Sequence, residues 1–359
     1  MTAIPAHHKA LVTGGAGFIG SALVRRLVGW GYSVVNIDKL TYAANKEALA
    51  AVEASHNHRF VEGDIADRDL IQQIMADESP DVVFHLAAES HVDRSIDRPT
   101  DFIKTNIVGT FELLESALVV WSKYSPEKKE RFRFLHISTD EVFGMLGDEG
   151  FFCETSPYKP SSPYSASKAS SDHLARAWFH TYGLPVIVTN CSNNFGPFQH
   201  PEKFIPTVIR NAIAGSAIPI YGTGENVRDW IFVEDHVDGL IKASRTGQAG
   251  ETYLFGGRAE RSNLDLARSI CCILDALVPK RSGKSYVDQI TFVQDRPHHD
   301  FRYAVDPTKS ECELEWCIGT AHDVALERTI RWYLEFPGFF LRDSGELERQ
   351  GVSRSRPEE

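Results

Sequence analysis

The sequence has few cysteines and no long apolar run. Only six cysteines occur in 359 residues and none forms a CxxC pair, so neither a disulfide framework nor a zinc site is predicted. No uninterrupted apolar stretch approaches the roughly 20 residues that a membrane-spanning helix needs. The start, MTAIPAHHK, lacks the charged and apolar regions of a secretory signal. We therefore expect a reduced, cytoplasmic protein.

Positive charge is also in deficit. Lys and Arg number 38 against 49 Asp and Glu, which gives a net charge of −11 and disfavours a duplex nucleic-acid partner. Hydrophobic residues make up 42% and charged residues 24%, a balance typical of folded globular chains. The length allows two domains or one large one. A small anionic substrate, held by a few local cations, stays compatible with this composition.

Short apolar runs alternate with amphipathic helical stretches through the first half of the chain. The run at 9–15 is followed by a helical pattern at 18–29 and a second apolar run at 33–38. Further strand candidates lie at 59–64, 81–87, 133–138 and 185–190. Strand-helix-strand alternation predicts an α/β fold, a Rossmann-like doubly wound parallel sheet with a smaller, mostly C-terminal substrate-binding lobe.

The pattern becomes irregular and rich in Pro and Gly after about residue 195, where we expect the second lobe to begin. A helical and then extended stretch at about 230–256 predicts a return to the first domain. The predicted first domain is therefore 1–195 plus this segment, the lobe is 196–229 and 257–340, and 341–359 is a disordered tail. Helices near 99–121 and 164–182 carry surplus apolar surface, which predicts a homodimer contact.

The turn GGAGFIG places Gly14, Gly17 and Gly20 between the first strand and the first helix. Glycine there permits close approach to a pyrophosphate at the helix N-terminus. Asp38 ends the second strand, where a carboxylate can bind a ribose diol and repel a 2′-phosphate, which favours NAD over NADP. The alternative for Asp38 is a turn cap. Asp64 and Ile65 follow the third strand and could hold an adenine, although a simple turn role is nearly as well supported.

Tyr164 and Lys168 stand four residues apart, so on a helix they share one face. A lysine ammonium beside a phenol stabilises the phenolate and lowers its pKa, which makes Tyr164 a base for a hydroxyl proton. The alternative is a chance spacing. The glycine turn and the strand that ends at the STD sequence favour the catalytic interpretation.

Eight motifs occur in order: GGAGFIG, LAAESHVDRSI, STDEVFG, YSASK, SNNFGP, PEKFIP, RDWIFVEDH and DRPHHD. Together they resemble the extended short-chain dehydrogenase/reductase superfamily, and more narrowly its nucleotide-sugar 4,6-dehydratases, over about residues 9–335. The resemblance implies a set of cofactor-contacting positions. These are Gly14, Gly17, Phe18, Ile19, Gly20, Asp38, Lys39, Leu40, Thr41, Asp64, Ile65, Leu86, Ala87, Ala88, Glu89, Ser90, Thr105, Tyr164, Lys168 and Asn194.

Two adjacent acids, Asp140 and Glu141, directly follow a strand. Oxidation of a hexose at C4 makes the C5 proton acidic, so Glu141 is the candidate base. Loss of the C6 hydroxyl needs a proton donor, and Asp140 is the candidate acid. Thr139 is placed to hydrogen-bond the C4 oxygen. An acidic helix-start or turn pair is the alternative.

The resemblance also implies substrate contacts, with the cations Lys203, Arg228 and Arg296 at the diphosphate. For each cation alone, a solvated surface position is an equal alternative. His298 stands where glycine is usual. The remaining implied substrate contacts are Ser90, Thr139, Asn193, Phe204, Pro219, Ile220, Tyr221, Asn263, Asp295, Pro297, His298 and His299.

The resemblance implies dehydration of dTDP-glucose to dTDP-4-dehydro-6-deoxyglucose, through C4 oxidation by tightly bound NAD, elimination of water across C5–C6 and hydride return to C6. A UDP- or CDP-glucose 4,6-dehydratase and a UDP-sugar epimerase remain as alternatives. Epimerases share the Tyr and Lys but do not need the acidic pair. A non-catalytic NAD-binding protein is disfavoured because Tyr164, Lys168 and both acids are present. No metal is required.

Overall fold

A computed structural model describes residues 8–295 and 300–341. The strands are β1 (Lys9–Thr13), β2 (Ser33–Asp38), β3 (His58–Glu62), β4 (Val82–His85), β5 (Arg133–Thr139), β6 (Val186–Cys191), β7 (Asn193–Phe195), β8 (Ile218–Tyr221), β9 (Val227–Phe232), β10 (Thr252–Phe255), β11 (Glu260–Ser262), β12 (Ile290–Val293) and β13 (Arg302–Tyr303). The helices are α1 (Phe18–Gly29), α2 (Ala50–Glu53), α3 (Arg68–Glu78), α4 (Val92–Asp97), α5 (Pro99–Phe102), α6 (Thr110–Ser122), α7 (Pro126–Arg131), α8 (Pro163–Tyr182), α9 (Phe204–Ala214), α10 (Val233–Thr246), α11 (Asn263–Leu277), α12 (Thr308–Glu313) and α13 (His322–Glu335).

Seven of the strands form one sheet in the order β10-β6-β5-β4-β1-β2-β3. Every neighbouring pair in it is parallel. The chain runs outward from β1 through β2 to β3 and then resumes on the other side of β1 with β4. This reversal of strand order creates a crevice at the carboxyl ends of β1 and β4, where ligands bind in such sheets. The predicted doubly wound fold is confirmed.

Alternate residues of the strands enter two different apolar clusters. In β1, Ala10 and Val12 pack toward α1 and α10, whereas Leu11 packs toward α3, α6 and α8. This period of two is the geometry of a strand whose two faces are both covered. It explains why the strands read as nearly continuous apolar runs.

The segment after β6 builds smaller sheets and then returns. β7, β9, β11 and β13 form one of them, and β8 pairs with β12. In the first, the Arg302 guanidinium donates to both Glu260 carboxylate oxygens, at 2.6 and 3.0 Å. The helix α10 then leads to the strand β10, which joins the large sheet beside β6. The boundaries 196–229 and 257–340 stay a prediction.

The helix expected at 99–121 is not uniform. α5 leads into a π-helical segment, Ile103–Gly109, before α6 begins. Within it the Asn106 side chain donates to the Glu89 carbonyl (3.0 Å) and the Ser167 hydroxyl (2.8 Å) and accepts from the Glu89 amide (2.9 Å). These tertiary bonds fix a local conformation of a kind often found at functional sites.

Short 3-10 helices complete the described chain at Lys46–Leu49, Asp140–Phe143, Tyr286–Gln289 and Pro337–Leu341. The expected tail, 341–359, lies outside the described residues apart from Leu341. All six cysteines carry free thiols. Within 8–295 and 300–341, no helix has both the length and the apolar character to span a bilayer.

Candidate active site

The glycine turn after β1 is packed too tightly for any side chain at two positions. Gly14 has φ of +72°, and a Cβ there would lie 2.7 Å from the Ala87 backbone nitrogen. A Cβ on Gly20 would lie 2.2 Å from the Gly14 carbonyl oxygen. The turn therefore lets bare backbone approach the cleft at the N-terminus of α1, whose unpaired amides attract phosphate.

Asp38, at the end of β2, is held rigidly by backbone amides. One carboxylate oxygen accepts from the Ala16 amide at 2.9 Å and the other from the Leu40 amide at 2.8 Å. Burial raises the pKa of this carboxyl, although both amides oppose the shift. Since each carboxylate oxygen has two lone pairs, both keep acceptor capacity for the two hydroxyls of a ribose.

One cleft follows the carboxyl ends of β1, β2, β4, β5 and β6. Eighteen of the expected cofactor positions line it, namely Gly14, Gly17, Phe18, Ile19, Gly20, Asp38, Lys39, Thr41, Ile65, Leu86, Ala87, Ala88, Glu89, Ser90, Thr105, Tyr164, Lys168 and Asn194. Leu40 instead packs against the core. Asp64 accepts the Ala66 amide at 3.0 Å, which is the turn role left open above.

The same cleft contains all five expected catalytic residues: Thr139, Asp140, Glu141, Tyr164 and Lys168. β5 ends at Thr139, and the 3-10 helix then turns both acids toward the cleft. The Thr139 hydroxyl accepts from the Glu141 amide and donates to the Asp140 carboxyl, both at 3.3 Å. The strand end therefore fixes three functional side chains together.

Asp140 is 2% exposed, and its Oδ2 atom has no hydrogen-bond partner among the described residues. Burial raises its pKa well above the usual value, and the charges of Glu141 and Asp229 add to this. The protonated carboxyl is favoured because the ionised form would be both desolvated and repelled. Such a group can donate a proton to a leaving hydroxyl.

Tyr164 and Lys168 lie on the first turns of α8. A capping box fixes that helix start, with Ser162 and Ser165 exchanging backbone-to-hydroxyl bonds at 3.0 and 3.1 Å. The Lys168 ammonium donates to the Ile137 carbonyl at 2.8 Å. The lysine and the phenol thus share a helix face and line the same cleft.

The expected lowering of the Tyr164 pKa is wrong for this arrangement. Burial raises the pKa well above 10, the charge of Glu141 raises it further, and only a hydrogen bond with Thr139 opposes them. Lys168 is itself desolvated, which lowers its own pKa. The phenol is therefore the favoured form at neutral pH.

The expected substrate contacts are only partly brought together. Ser90, Thr139, Asn193 and Lys203 line the cleft. Outside the cleft lining are Phe204, Pro219, Ile220, Tyr221, Arg228, Asn263 and Asp295. Arg296, Pro297, His298 and His299 lie outside the described residues.

Arg228 lies on β9 and contacts backbone carbonyls of the described residues, and its role at the diphosphate stays a prediction. Its guanidinium donates to the carbonyls of Val227 (2.7 Å), Asp300 (2.9 Å) and Phe301 (3.2 Å). It also lies 4.6 Å from the centre of the Tyr303 ring. Arg228 is buried, and its charge lowers the pKa of Asp140 against the larger raising effects.

Sequence reasoning missed ten further residues of the cleft lining. They are Ile37, Ala43, Ala44, Gly63, Ile137, Ser138, Cys191, Ser192, Gln199 and His200. Ile37, Ile137 and Cys191 lie at or next to strand ends, so the rule that ligands bind at the carboxyl edge could have found them. Gln199 and His200 come from an irregular loop and carry no local signal.

Residues 11–329 match the profile of a family described as GDP-mannose 4,6 dehydratase. The dTDP-glucose 4,6-dehydratase 1 of Escherichia coli is 55% identical over 336 residues, covering 91% of this chain and 92% of its own. The dTDP-glucose 4,6-dehydratase of Neisseria meningitidis serogroup B is 52% identical over 353 residues, covering 96% and 99%.

Solved structures agree with these relatives. DesIV of Streptomyces venezuelae, a dTDP-glucose 4,6-dehydratase crystallised with NAD and TYD, superposes with a TM-score of 0.83 and 42% identity over 95% of this chain and 100% of its own. The UDP-glucose 4-epimerase of Thermotoga maritima, crystallised with UDP-glucose, gives 0.81 and 27% over 92% and 99%. This chain therefore belongs to the dTDP-glucose 4,6-dehydratase family of the extended short-chain dehydrogenase/reductases.

Proposed function

We propose that this chain is an NAD-dependent dTDP-glucose 4,6-dehydratase, a lyase that forms dTDP-4-dehydro-6-deoxyglucose. The observation that carries the proposal is the buried Asp140 carboxyl, with an unpartnered oxygen and a raised pKa, in one cleft with Glu141, Tyr164 and Lys168. Relatives named as dTDP-glucose 4,6-dehydratases at 51–56% identity support the substrate assignment.

The turn and the first strand ends are suited to NAD. The tight turn at Gly14 and Gly20 brings bare backbone to the N-terminus of α1, which would hold a pyrophosphate, and the Asp38 carboxylate would bind the ribose diol and disfavour a 2′-phosphate. When bound, NAD takes up and later returns the hydride. Thr105 and Asn194 border the same cleft.

The first proton transfer belongs to Tyr164. As the C4 carbon is oxidised, its hydroxyl gives up a proton to the Tyr164 oxygen. The Lys168 ammonium stabilises the phenolate, and the Thr139 hydroxyl donates to the C4 oxygen. Because burial raises the phenol pKa, this step depends on the positive charge held nearby.

Elimination belongs to the acidic pair. Glu141 takes the C5 proton, the C5–C6 double bond forms, and the C6–O bond breaks as Asp140 donates a proton to the departing hydroxyl. Hydride then returns to C6 and a proton to C5. The net change in the sugar is oxidation at C4, reduction at C6 and loss of one water. The different burial of the two acids supports this division of roles.

A homodimer is part of the proposal. Ile103, Val108, Val119 and Tyr182 are between 41% and 51% exposed on the two helical stretches expected to form the contact. Large apolar side chains grouped in this way favour a partner surface. A cytoplasmic location would give the enzyme access to NAD and nucleotide sugars.

The test is incubation with dTDP-, UDP- and CDP-glucose in deuterated water, followed by mass spectrometry. We expect dTDP-glucose to lose one water and gain one deuterium at C5, with slower turnover of the other two. Formation of a C4 epimer with no loss of water would instead support an epimerase, the activity of the Thermotoga maritima structural relative.

The variant Glu141→Gln separates the two halves of the reaction. We expect NADH absorbance to appear after dTDP-glucose is added, because Tyr164 and Lys168 are intact, while loss of water falls by about 100-fold or more. Full dehydration by this variant would remove Glu141 from its proposed role.

A further inference from the structure

Helix α8 carries four polar side chains at intervals of four residues: Tyr164, Lys168, Asp172 and Arg176. Such spacing places them along one helix face. Asp172 is fully buried and Lys168 is 4% exposed. A carboxyl group therefore follows the catalytic pair by one turn, in an interior where an unpaired charge is costly. The reaction steps proposed above do not use it.

Asp172 is anchored from three directions. Its Oδ1 atom bonds to His136 Nε2 on β5 at 3.0 Å. Its Oδ2 atom accepts from the Tyr158 hydroxyl at 2.7 Å and the Asn190 amide on β6 at 3.4 Å. The Tyr158 hydroxyl in turn accepts from the Arg176 guanidinium at 2.8 Å. The carboxylate thus has a defined position beneath the floor of the cleft.

These contacts favour the ionised carboxylate. Burial alone would raise the Asp172 pKa, but the hydrogen bonds of His136 and Tyr158 and the charge of Lys168 lower it. His136 is fully buried, and this together with the Lys168 charge lowers its pKa to about 4. The histidine is therefore neutral at pH 7 and leaves the negative charge on Asp172.

The titratable groups around Lys168 are Asp172 and Tyr164 on α8, His85 on β4, His136 on β5 and Cys191 on β6. Burial raises the Cys191 pKa to about 12 and lowers that of His85 well below 6.5, so both are neutral. The Tyr164 phenol is also neutral. Asp140 and Glu141 line the same cleft, and of all these groups Asp172 has the largest raising effect on the Lys168 pKa.

We propose that Asp172 is a positioning residue for the catalytic pair, and that its carboxylate, fixed by His136 and Tyr158, keeps Lys168 as an ammonium ion at the base of the cleft. The carbonyl of Ile137 orients the same ammonium through its 2.8 Å bond. The consequence for catalysis rests on the proposed function, whereas the electrostatic effect of Asp172 on Lys168 does not.

The reason is electrostatic. Burial lowers the Lys168 pKa, and the Asp172 charge is the leading influence in the opposite direction. A neutral amine could still hydrogen-bond, but it could not stabilise a phenolate by charge. Removing the carboxylate would therefore affect proton removal from the C4 hydroxyl without changing any group that touches the sugar.

Asp172→Asn is the direct test because it keeps the size and shape of the side chain. The amide can accept from Tyr158 and donate to His136, so the main loss is the charge. Tyr158→Phe is the matched control, since it removes a hydrogen bond to Asp172 but leaves the carboxylate and the lysine in place.

The first readout is unfolding by urea at about pH 6 and about pH 9, which needs no substrate. A buried lysine with a lowered pKa destabilises the fold while it is protonated, and this cost fades as the pH rises through its folded pKa. The midpoint deficit of Asp172→Asn should therefore be larger at pH 6 than at pH 9. Tyr158→Phe should show the same deficit at both. Equal deficits at the two pH values for Asp172→Asn would overturn the proposal.

The second readout is the rate of NADH formation from dTDP-glucose across the same pH range. For Asp172→Asn we expect kcat to fall at least tenfold at neutral pH with little change in KM, and the pH profile to be displaced from that of wild type. A parallel loss in both variants at every pH would mean a purely structural role and would overturn the proposal. Inactivity of the wild-type protein toward dTDP-glucose would count against the proposed function and leave the urea result standing.

If Asp172→Asn does not fold, the double variant Lys168→Met/Asp172→Asn decides the question. Removing both charges leaves no unpaired ion in the interior, so folding should be restored. If the double variant still fails to fold while Lys168→Met alone folds, Asp172 stabilises the fold independently of Lys168. That result would overturn the proposal.

Discussion

Asp140 and Glu141 are neighbours in the chain but occupy different surroundings. Asp140 is 2% exposed and faces Asp229 and Glu141, whereas Glu141 is only partly buried. Two carboxyl groups of similar intrinsic acidity thereby acquire different proton affinities. At the residue scale, this is how one dipeptide can supply both an acid and a base.

Asp140→Asn should separate stability from activity. Because the folded pKa of Asp140 is raised, its ionisation destabilises the fold as the pH rises from the unfolded value through the folded one. The uncharged amide avoids this cost. We expect the variant to match wild type in unfolding free energy at low pH, to exceed it at alkaline pH, and to lose about 100-fold or more in dehydration rate.

Urea unfolding at several pH values and water loss followed by mass spectrometry measure the two effects of Asp140→Asn. A stability difference that does not change with pH would contradict the protonated state assigned to Asp140.

Gly20→Ala should damage the cofactor turn. The new Cβ would lie 2.2 Å from the Gly14 carbonyl and 2.8 Å from the Gly15 Cα atom, so the turn must shift. We expect a loss of about 1–3 kcal/mol in unfolding free energy and at least tenfold weaker NAD binding. Thermal unfolding and titration calorimetry with NAD give the two values.

Gly29→Ala is the matched control on the same helix. A Cβ at Gly29 would meet nothing within 4 Å, so this variant should be neutral or stabilised by up to about 1 kcal/mol. Equal losses at both positions would contradict the steric interpretation of Gly20.

Residue types with strong local chemistry could be predicted from the sequence. Asp38, Tyr164 and the acids were found because strand ends, helix spacing and reaction chemistry restrict where such groups are useful. Asp64 and Arg228 have the expected residue types, but each also bonds to nearby backbone, Asp64 to the Ala66 amide and Arg228 to the Asp300 carbonyl. No local pattern in the sequence shows which polar side chains make such backbone contacts.

At the scale of elements, the start of α8 controls the catalytic pair. Pro163 occupies the first helical turn, and the capping box of Ser162 and Ser165 satisfies the orphan amides. Tyr164 is the second residue of this helix. Its position therefore depends on how firmly the helix begins.

Ser162→Ala should lower the free energy of unfolding by about 1 kcal/mol. Fraying would also displace Tyr164, so we expect a several-fold slower rate of NADH formation from dTDP-glucose. Ser170→Ala is the control, because its hydroxyl donates to the Ala166 carbonyl within the helix and is remote from the cap. Thermal unfolding and stopped-flow absorbance provide the measurements, and an equal rate loss in both variants would contradict the capping argument.

The bounds of α1 and of several strands were predictable because periodicity and glycine punctuation mark them. The π-helical segment Ile103–Gly109 was not, since 99–121 reads as one helical pattern. Its conformation is stabilised by Asn106 bonding to Glu89 and Ser167, which are 17 and 61 residues away in sequence. Interactions at such separations leave no trace in a local pattern.

At the scale of the whole molecule, the order of the strands decides where the site forms. The doubly wound topology follows from the alternation of strands and helices, and was predictable. How the later segments pack on the sheet was not, because one apolar cluster continues from β1 and α1 into α9, α11 and α13. The lobe and the sheet thus share a core, and composition alone cannot divide it.

Val119→Arg should weaken self-association. Val119 is 47% exposed on α6, and a guanidinium there would have to be desolvated in the proposed dimer contact. We expect the dimer dissociation constant to rise at least tenfold by analytical ultracentrifugation. Val324→Arg, 54% exposed on α13, is the control and should leave the constant unchanged. If the wild-type protein is a monomer at every concentration measured, the proposed dimer is rejected.

The late position of β10 in the chain limits how the gene can be divided by protein engineering or by recombination. A gene fragment ending near residue 195 would encode six of the seven strands of the large sheet. It would leave β6, whose residues are all buried in the complete sheet, as an exposed edge strand. Such an edge pairs readily with other chains. The cofactor half is therefore not a portable module in sequence order, and recombination that exchanges substrate lobes between relatives must preserve the later segment that closes the sheet.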